Sequence, residues 1–133
     1  MRPKPLSPHT LFAWLFLTTG IFAVAGSLFS WGEGWLFSQS QLSRVLLPWG
    51  DLILTGPLSL LSAYAVGSKR AWGIYTGLLT SGMYLFGSVL VFISLIWAGK
   101  PYPLRLIIPP IAGVSIAVSL FIWVMRGRRD TRA

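Results

Sequence analysis

Groups that ionise, attack or ligate are scarce in this chain. Glu33, Asp51 and Asp130 are its only acids, His9 is its only histidine, and cysteine is absent. Acids so widely scattered give no support to hydrolysis by a carboxylate pair. Without cysteine, the chain itself supplies no disulfide, thiolate metal site, haem-attachment motif or thiol redox step. His9 lies ahead of the first apolar run, so two-histidine haem ligation within a bilayer, a catalytic triad and a histidine–acid metal cluster all lack support. Gly73, Gly77 and Gly82 fall inside an apolar run, not after a strand, so there is no phosphate-cradling glycine signature. An enzyme is the class these residues support least, and no cofactor or metal is expected.

Asp51 is the one ionisable residue expected inside an apolar run, and an ionisable group in lipid is a candidate for function. It lies three residues after Pro48, where a carboxylate favours the positive end of a helix and can accept from free amides. Several roles stand open: a cap, a structural lock with Arg105, a ligand or proton site built with Arg105, or a contact for a partner protein. Arg44 and Lys100 are rival cations for the pair. Thr80, Ser81, Tyr84 and Ser88 could share an inward polar face with Tyr64, which would make a cavity; close packing explains the same residues. Glu33, between Gly32 and Gly34, reads as a solvated loop acid, and Asp130 belongs to the polar tail.

The elements that position these residues follow from the distribution of apolar side chains. Of 133 residues, 54% are hydrophobic and 11% charged, a balance suited to lipid. A span needs roughly 20 apolar residues to cross a hydrocarbon core of about 30 Å. Four runs qualify, at about 11–30, 48–66, 71–98 and 106–125. They predict an all-α membrane four-helix bundle forming a single domain, with an arm at 1–7 and a basic tail at 126–133.

Basic residues set the expected orientation. Arg2 and Lys4, Lys69 and Arg70, and Arg126, Arg128, Arg129 and Arg132 put eight on one side, whereas Arg44, Lys100 and Arg105 put three on the other. Both termini are therefore expected in the cytoplasm. The net charge of +8 sits at the ends of the runs, so anionic lipid is the expected partner and nucleic acid is not. Lys69, Arg70, Arg126, Arg128 and Arg129 are the expected headgroup contacts. Trp31, Trp35, Trp49 and Trp97 mark one interface; Trp72, Trp123 and Trp14 mark the other. Ala23-Val24-Ala25 imitates a signal-peptidase site, but the apolar stretch runs on to Trp31, which favours a span.

Local signals refine the boundaries. Ser7 should cap a helix whose first position is Pro8. Gly67-Ser68 should end the second run just before Lys69-Arg70, leaving a tight hairpin to the third. The stretch from Trp35 to Leu47 is either a short interfacial helix or an ordered loop. Pro109-Pro110 predicts a kink or a late start in the fourth run. Small residues mark expected contact faces: Gly56, Ser59, Ala63 and Gly67; then Gly73, Gly77, Ser81, Tyr84 and Ser88; then Ala112, Ser115 and Ser119. Such faces serve internal packing or a homo-oligomer seam.

Pro48-Trp49-Gly50-Asp51-Leu52, Leu58-Ser59-Leu60-Leu61, the short basic loop and a proline early in the fourth run resemble the YvaD-like group of small bacterial four-helix membrane proteins. The resemblance implies four spans in a bacterial inner membrane and, because that group has no assigned biochemistry, no mechanism. Two function classes follow from the residues. One is a non-catalytic accessory or structural membrane subunit with a membrane-protein partner. The other is a small-molecule or lipid binding or transport protein with an outward site near Asp51 and Arg105.

Overall fold

A computed structural model of the chain describes residues 7–34, 48–98 and 104–130, apart from the side chains of 104–106 and 128–130. Every regular element among the described residues is helical: α1 (Pro8–Gly32), a π segment (Asp51–Thr55) that runs into α2 (Gly56–Gly67), α3 (Gly73–Ala98) and α4 (Leu104–Asp130). Three stretches, Pro8–Gly32, Gly73–Trp97 and Ile107–Gly127, are long and apolar enough to cross a membrane. The chain divides into two compact units, Met1–Gly77 and Leu78–Ala133. The expected interfacial helix at Trp35–Leu47 lies outside the described residues.

The start of α1 follows its sequence signal. Ser7 is extended at φ −64° and ψ 147°, Pro8 follows it in the first turn, and the Ser7 hydroxyl accepts from the Thr10 amide at 3.3 Å. Proline costs little there because its missing donor is one that the first turn could not use. At the far end the Glu33 amide donates to the Phe29 carbonyl at 3.1 Å. Gly34 then leaves the helix at φ +73°, a conformation that glycine adopts without a Cβ clash.

In the first unit, α1 and α2 run antiparallel and touch through small residues. A Cβ on Gly67 would lie 3.1 Å from Ala13, one on Gly20 3.0 Å from Ser59 and Leu60, and one on Gly56 2.6 Å from Val24. As α1 is followed upward, its partners on α2 descend. Phe12 and Phe16 of α1 and Ala63, Ala65 and Val66 of α2 are buried. Such contact yields dispersion energy even where both alternatives are apolar, which is how helices associate in lipid. The first turn of α3 returns onto the end of α2: a Cβ on Gly73 would sit 2.7 Å from the Ala65 carbonyl group.

Among the described residues, buried hydroxyls and exposed large apolar side chains set the distribution apart from that of a water-soluble protein. Ser27, Ser30, Ser59, Ser62, Thr80, Ser81 and Ser88 are buried, while Phe22, Ile96 and Trp97 are 80%, 80% and 90% exposed. Apolar exposure on this scale suits a lipid solvent. Some of these buried hydroxyls bond to their own helices, as with Ser27 to Ala23 O at 2.8 Å and Ser30 to Gly26 O at 2.9 Å. On α3, Gly73, Gly77, Ser81, Tyr84 and Ser88 are all buried, the face expected from small-residue spacing.

α4 decides between two expectations at its start and departs from another on its contact face. Its helix begins at Leu104 and passes through Pro109 and Pro110, so the late start is not adopted. The prolines instead leave the carbonyls of Arg105 and Leu106 without a helical donor. Moreover, Ala112, Ser115 and Ser119 are exposed, and the buried face is Gly113, Ile116, Ala117, Leu120 and Val124. Ser115 bonds to the Ile111 carbonyl at 2.8 Å and needs no partner from another helix. Gly113 provides the close approach, since a Cβ there would meet Ser88 Oγ at 2.8 Å.

Gly56→Ala should lose about 1–3 kcal/mol through overpacking against Val24. Gly26→Ala, where a Cβ meets nothing within 4 Å, should gain about 0.5–1 kcal/mol from backbone entropy. Unfolding midpoints of the two variants in one detergent check this opposition of sign.

Candidate functional site

The second helical run is interrupted where its chemistry lies. Pro57 has no amide proton to donate to Ile53, and its ring would press on that carbonyl in a regular helix. The backbone widens ahead of it: Asp51–Thr55 is a π segment, and the Gly56 amide donates to the Asp51 carbonyl five residues back. Gly56 is needed twice over, because an added Cβ would meet Asp51 O at 2.7 Å as well as Val24. The sequence expectation of an unbroken run over 48–66 passed over this Gly56-Pro57 pair, although Gly-Pro inside an apolar run is a recognised breaker. The π turn places Asp51 and Thr55 so that the Thr55 hydroxyl donates to the carboxylate. Thr55 also offers its carbonyl to the hydroxyl of buried Ser59. The segment thus links Asp51 to the α1–α2 seam, and π turns recur at functional sites.

The other expected site residues are distributed as follows. Arg44 lies outside the described residues, and Arg105 opens α4 with its side chain outside them, as are those of Arg128 and Arg129. Tyr64 belongs to the first unit and is 57% exposed, whereas Tyr84 belongs to the second and is 6% exposed. Thr80, Ser81, Tyr84 and Ser88 are buried together on one face of α3, and the Ser81 hydroxyl has no hydrogen-bond partner among the described residues. Arg126 is exposed near the end of α4.

Sequence reasoning did not anticipate a groove on the first unit. Thr10, Ala13, Trp14 and Leu17 form one wall from α1; Leu60, Ala63, Tyr64 and Gly67 form the other from α2. Each set repeats at three- and four-residue intervals and so occupies one helix face. The volume is about 340 Å³, within the usual range for ligand pockets of roughly 300–1,000 Å³. Its walls are apolar apart from the threonine hydroxyl and the polar tips of the tryptophan and tyrosine. The spacing was legible in the sequence, but the pairing of the two faces depends on the α1–α2 crossing.

Beyond Gly67 the chain makes a tight, hydrogen-bonded reversal. The Lys69 amide donates to Val66 O at 3.1 Å and the Arg70 amide to Ala65 O at 2.9 Å, the two bonds of a Schellman motif. Lys69 takes the left-handed position at φ 52°, which usually belongs to glycine. A lysine there spends conformational energy to keep a cation next to Arg70. Both side chains are exposed.

Two substitutions test these local arguments. Lys69→Gly should raise unfolding stability by about 1 kcal/mol by relieving the left-handed conformation. In a double-mutant cycle of Asp51→Asn and Thr55→Val, the coupling energy should be about 0.5–1.5 kcal/mol for a real hydrogen bond and zero without one.

No family model matches the chain, and no solved structure matches it. Among curated proteins, the chain is 36% identical over 91 residues to a cytochrome c-type biogenesis protein, CycK, of Bradyrhizobium diazoefficiens; the match covers 63% of this chain and 13% of that protein. The chain thus corresponds to a small part of a much longer relative.

Proposed function

We propose that this chain is a non-catalytic accessory membrane subunit acting in cytochrome c-type biogenesis. The observation that carries the reading is the 36% identity with CycK over 91 residues, joined to three helices fit to cross a membrane. In this reading the helical run over 48–67 is a fourth span, since at about 1.5 Å per residue it covers a hydrocarbon core of roughly 30 Å. The basic residues at run ends support a reading with both termini in the cytoplasm of a bacterial cell, in keeping with the resemblance to the YvaD-like group.

A supporting role fits the side chains available. With no cysteine and one histidine, the chain offers no thiol step and no two-histidine haem ligation of its own, which supports reading its contribution as packing surface. The wide apolar exposure on α1, α3 and α4 offers area for partner helices as well as lipid.

A second reading is favoured by the π segment: a site for a small molecule or lipid centred on Asp51. The half-buried carboxylate beside a widened helix turn supports it. One complementation experiment separates the readings. Deleting the gene should lower covalently haem-bearing c-type cytochrome, read by haem staining, and a tagged chain should copurify cytochrome c-type biogenesis proteins. Unchanged cytochrome with no such partner contradicts the accessory role. Asp51→Asn should restore cytochrome if the chain is an accessory subunit and fail to restore it if the carboxylate binds a ligand.

A further inference from the structure

We propose that the α1–α2 groove is a binding site for an anionic phospholipid, with one acyl chain lying along Ala13, Leu17, Leu60 and Ala63 and the phosphate over Lys69 and Arg70. This inference rests on the membrane reading and is independent of any role in cytochrome biogenesis.

Three observations converge on that occupant. The groove is apolar along its length and open on one side, as an acyl chain entering from the bilayer requires. Trp14 and Tyr64 flank it, 58% and 57% exposed, and such amphipathic rings favour the level where acyl chains meet headgroups. Charge complementarity identifies the head. Lys69 and Arg70 follow Gly67, the last wall residue on α2, and the Schellman turn holds them in a fixed backbone geometry. A flexible basic tail attracts anionic lipid in general. A fixed pair at the end of a groove selects a lipid whose chain and phosphate are joined at the right separation. The left-handed Lys69 fits this account, because the ordinary glycine would give a more stable turn and no cation.

The test uses the full chain extracted in neutral detergent and incubated with equal amounts of phosphatidylglycerol and phosphatidylcholine, with retained lipid read by native mass spectrometry. The chain should keep a single phosphatidylglycerol in preference to phosphatidylcholine. Lys69→Gln with Arg70→Gln should weaken retention about tenfold or more, at roughly 1 kcal/mol per lost cation. The charge-matched pair Lys100→Gln with Arg132→Gln should leave it unchanged. Leu17→Trp, which fills the groove and keeps the charges, should also abolish retention; Tyr64→Ala, at an exposed wall position, should lower it without threatening the fold. Equal loss from both charge pairs would overturn the proposal in favour of general electrostatic attraction. Retention surviving both Leu17→Trp and Tyr64→Ala would overturn it too, leaving a headgroup contact only. Equal retention of phosphatidylcholine, or a protein segment crosslinked at position 17 in place of lipid, would likewise refute it.

Discussion

The backbones of α1 and α2 can approach only as closely as their side chains allow, and three near-absent side chains set that distance. At Gly20 and Gly56 a single added carbon would already be at or inside contact distance, and at Gly67 it would press on Ala13. In lipid there is no water to expel between helices, so close packing and satisfied backbone groups must supply what burial supplies elsewhere. The rest of the first unit follows from this seam. It fixes which residues form the groove, and Gly56 lets the helix ahead of Pro57 widen so that Asp51 meets Thr55. The hydroxyls of Ser27, Ser30 and Ser59 are quiet because each returns its proton to a carbonyl of its own helix.

The sequence discloses more of the helices than of their pairing. Ser7 and Pro8 announced the start of α1 because capping is local chemistry. The buried face of α3 was legible because Gly73, Gly77 and Ser81 keep one spacing, and Tyr84 and Ser88 continue it. On α4 the same rule chose Ala112, Ser115 and Ser119, whereas Gly113 and Ala117 carry the contact. Small size alone does not separate a residue that admits a neighbour from one that is merely small, and a serine bonded to its own carbonyl gives no sign of which way it faces. The π segment was readable in Gly56-Pro57, yet a hydropathy run of that length masks a breaker. The groove belongs to neither helix alone.

Asp51 illustrates how structure redistributes suspicion. From sequence it is a solitary carboxylate awaiting a cap or a cation. In the fold its hydrogen bond is with Thr55, in a turn that exists because Pro57 cannot donate. Lys69 moved in the opposite direction, from one of several basic residues to a cation held at a position that favours glycine. Both are places where local preference is overridden, and such conflicts concentrate where a fold does something besides hold together.

The α1–α2 seam is tested most directly by a crosslink. The chain has no cysteine of its own, so Ala13→Cys with Gly67→Cys introduces an isolated pair, whose Cβ separation of 3.1 Å lies just under the roughly 3.5–4.5 Å of natural disulfides. Mild oxidation in native membranes should give a rapid intramolecular disulfide for this pair. It should give none for Ala25→Cys with Gly67→Cys, since Ala25 lies about 18 Å further along α1 by helical rise. Failure of the first pair to close, or equal closure of both, would contradict the antiparallel small-residue seam on which the account depends.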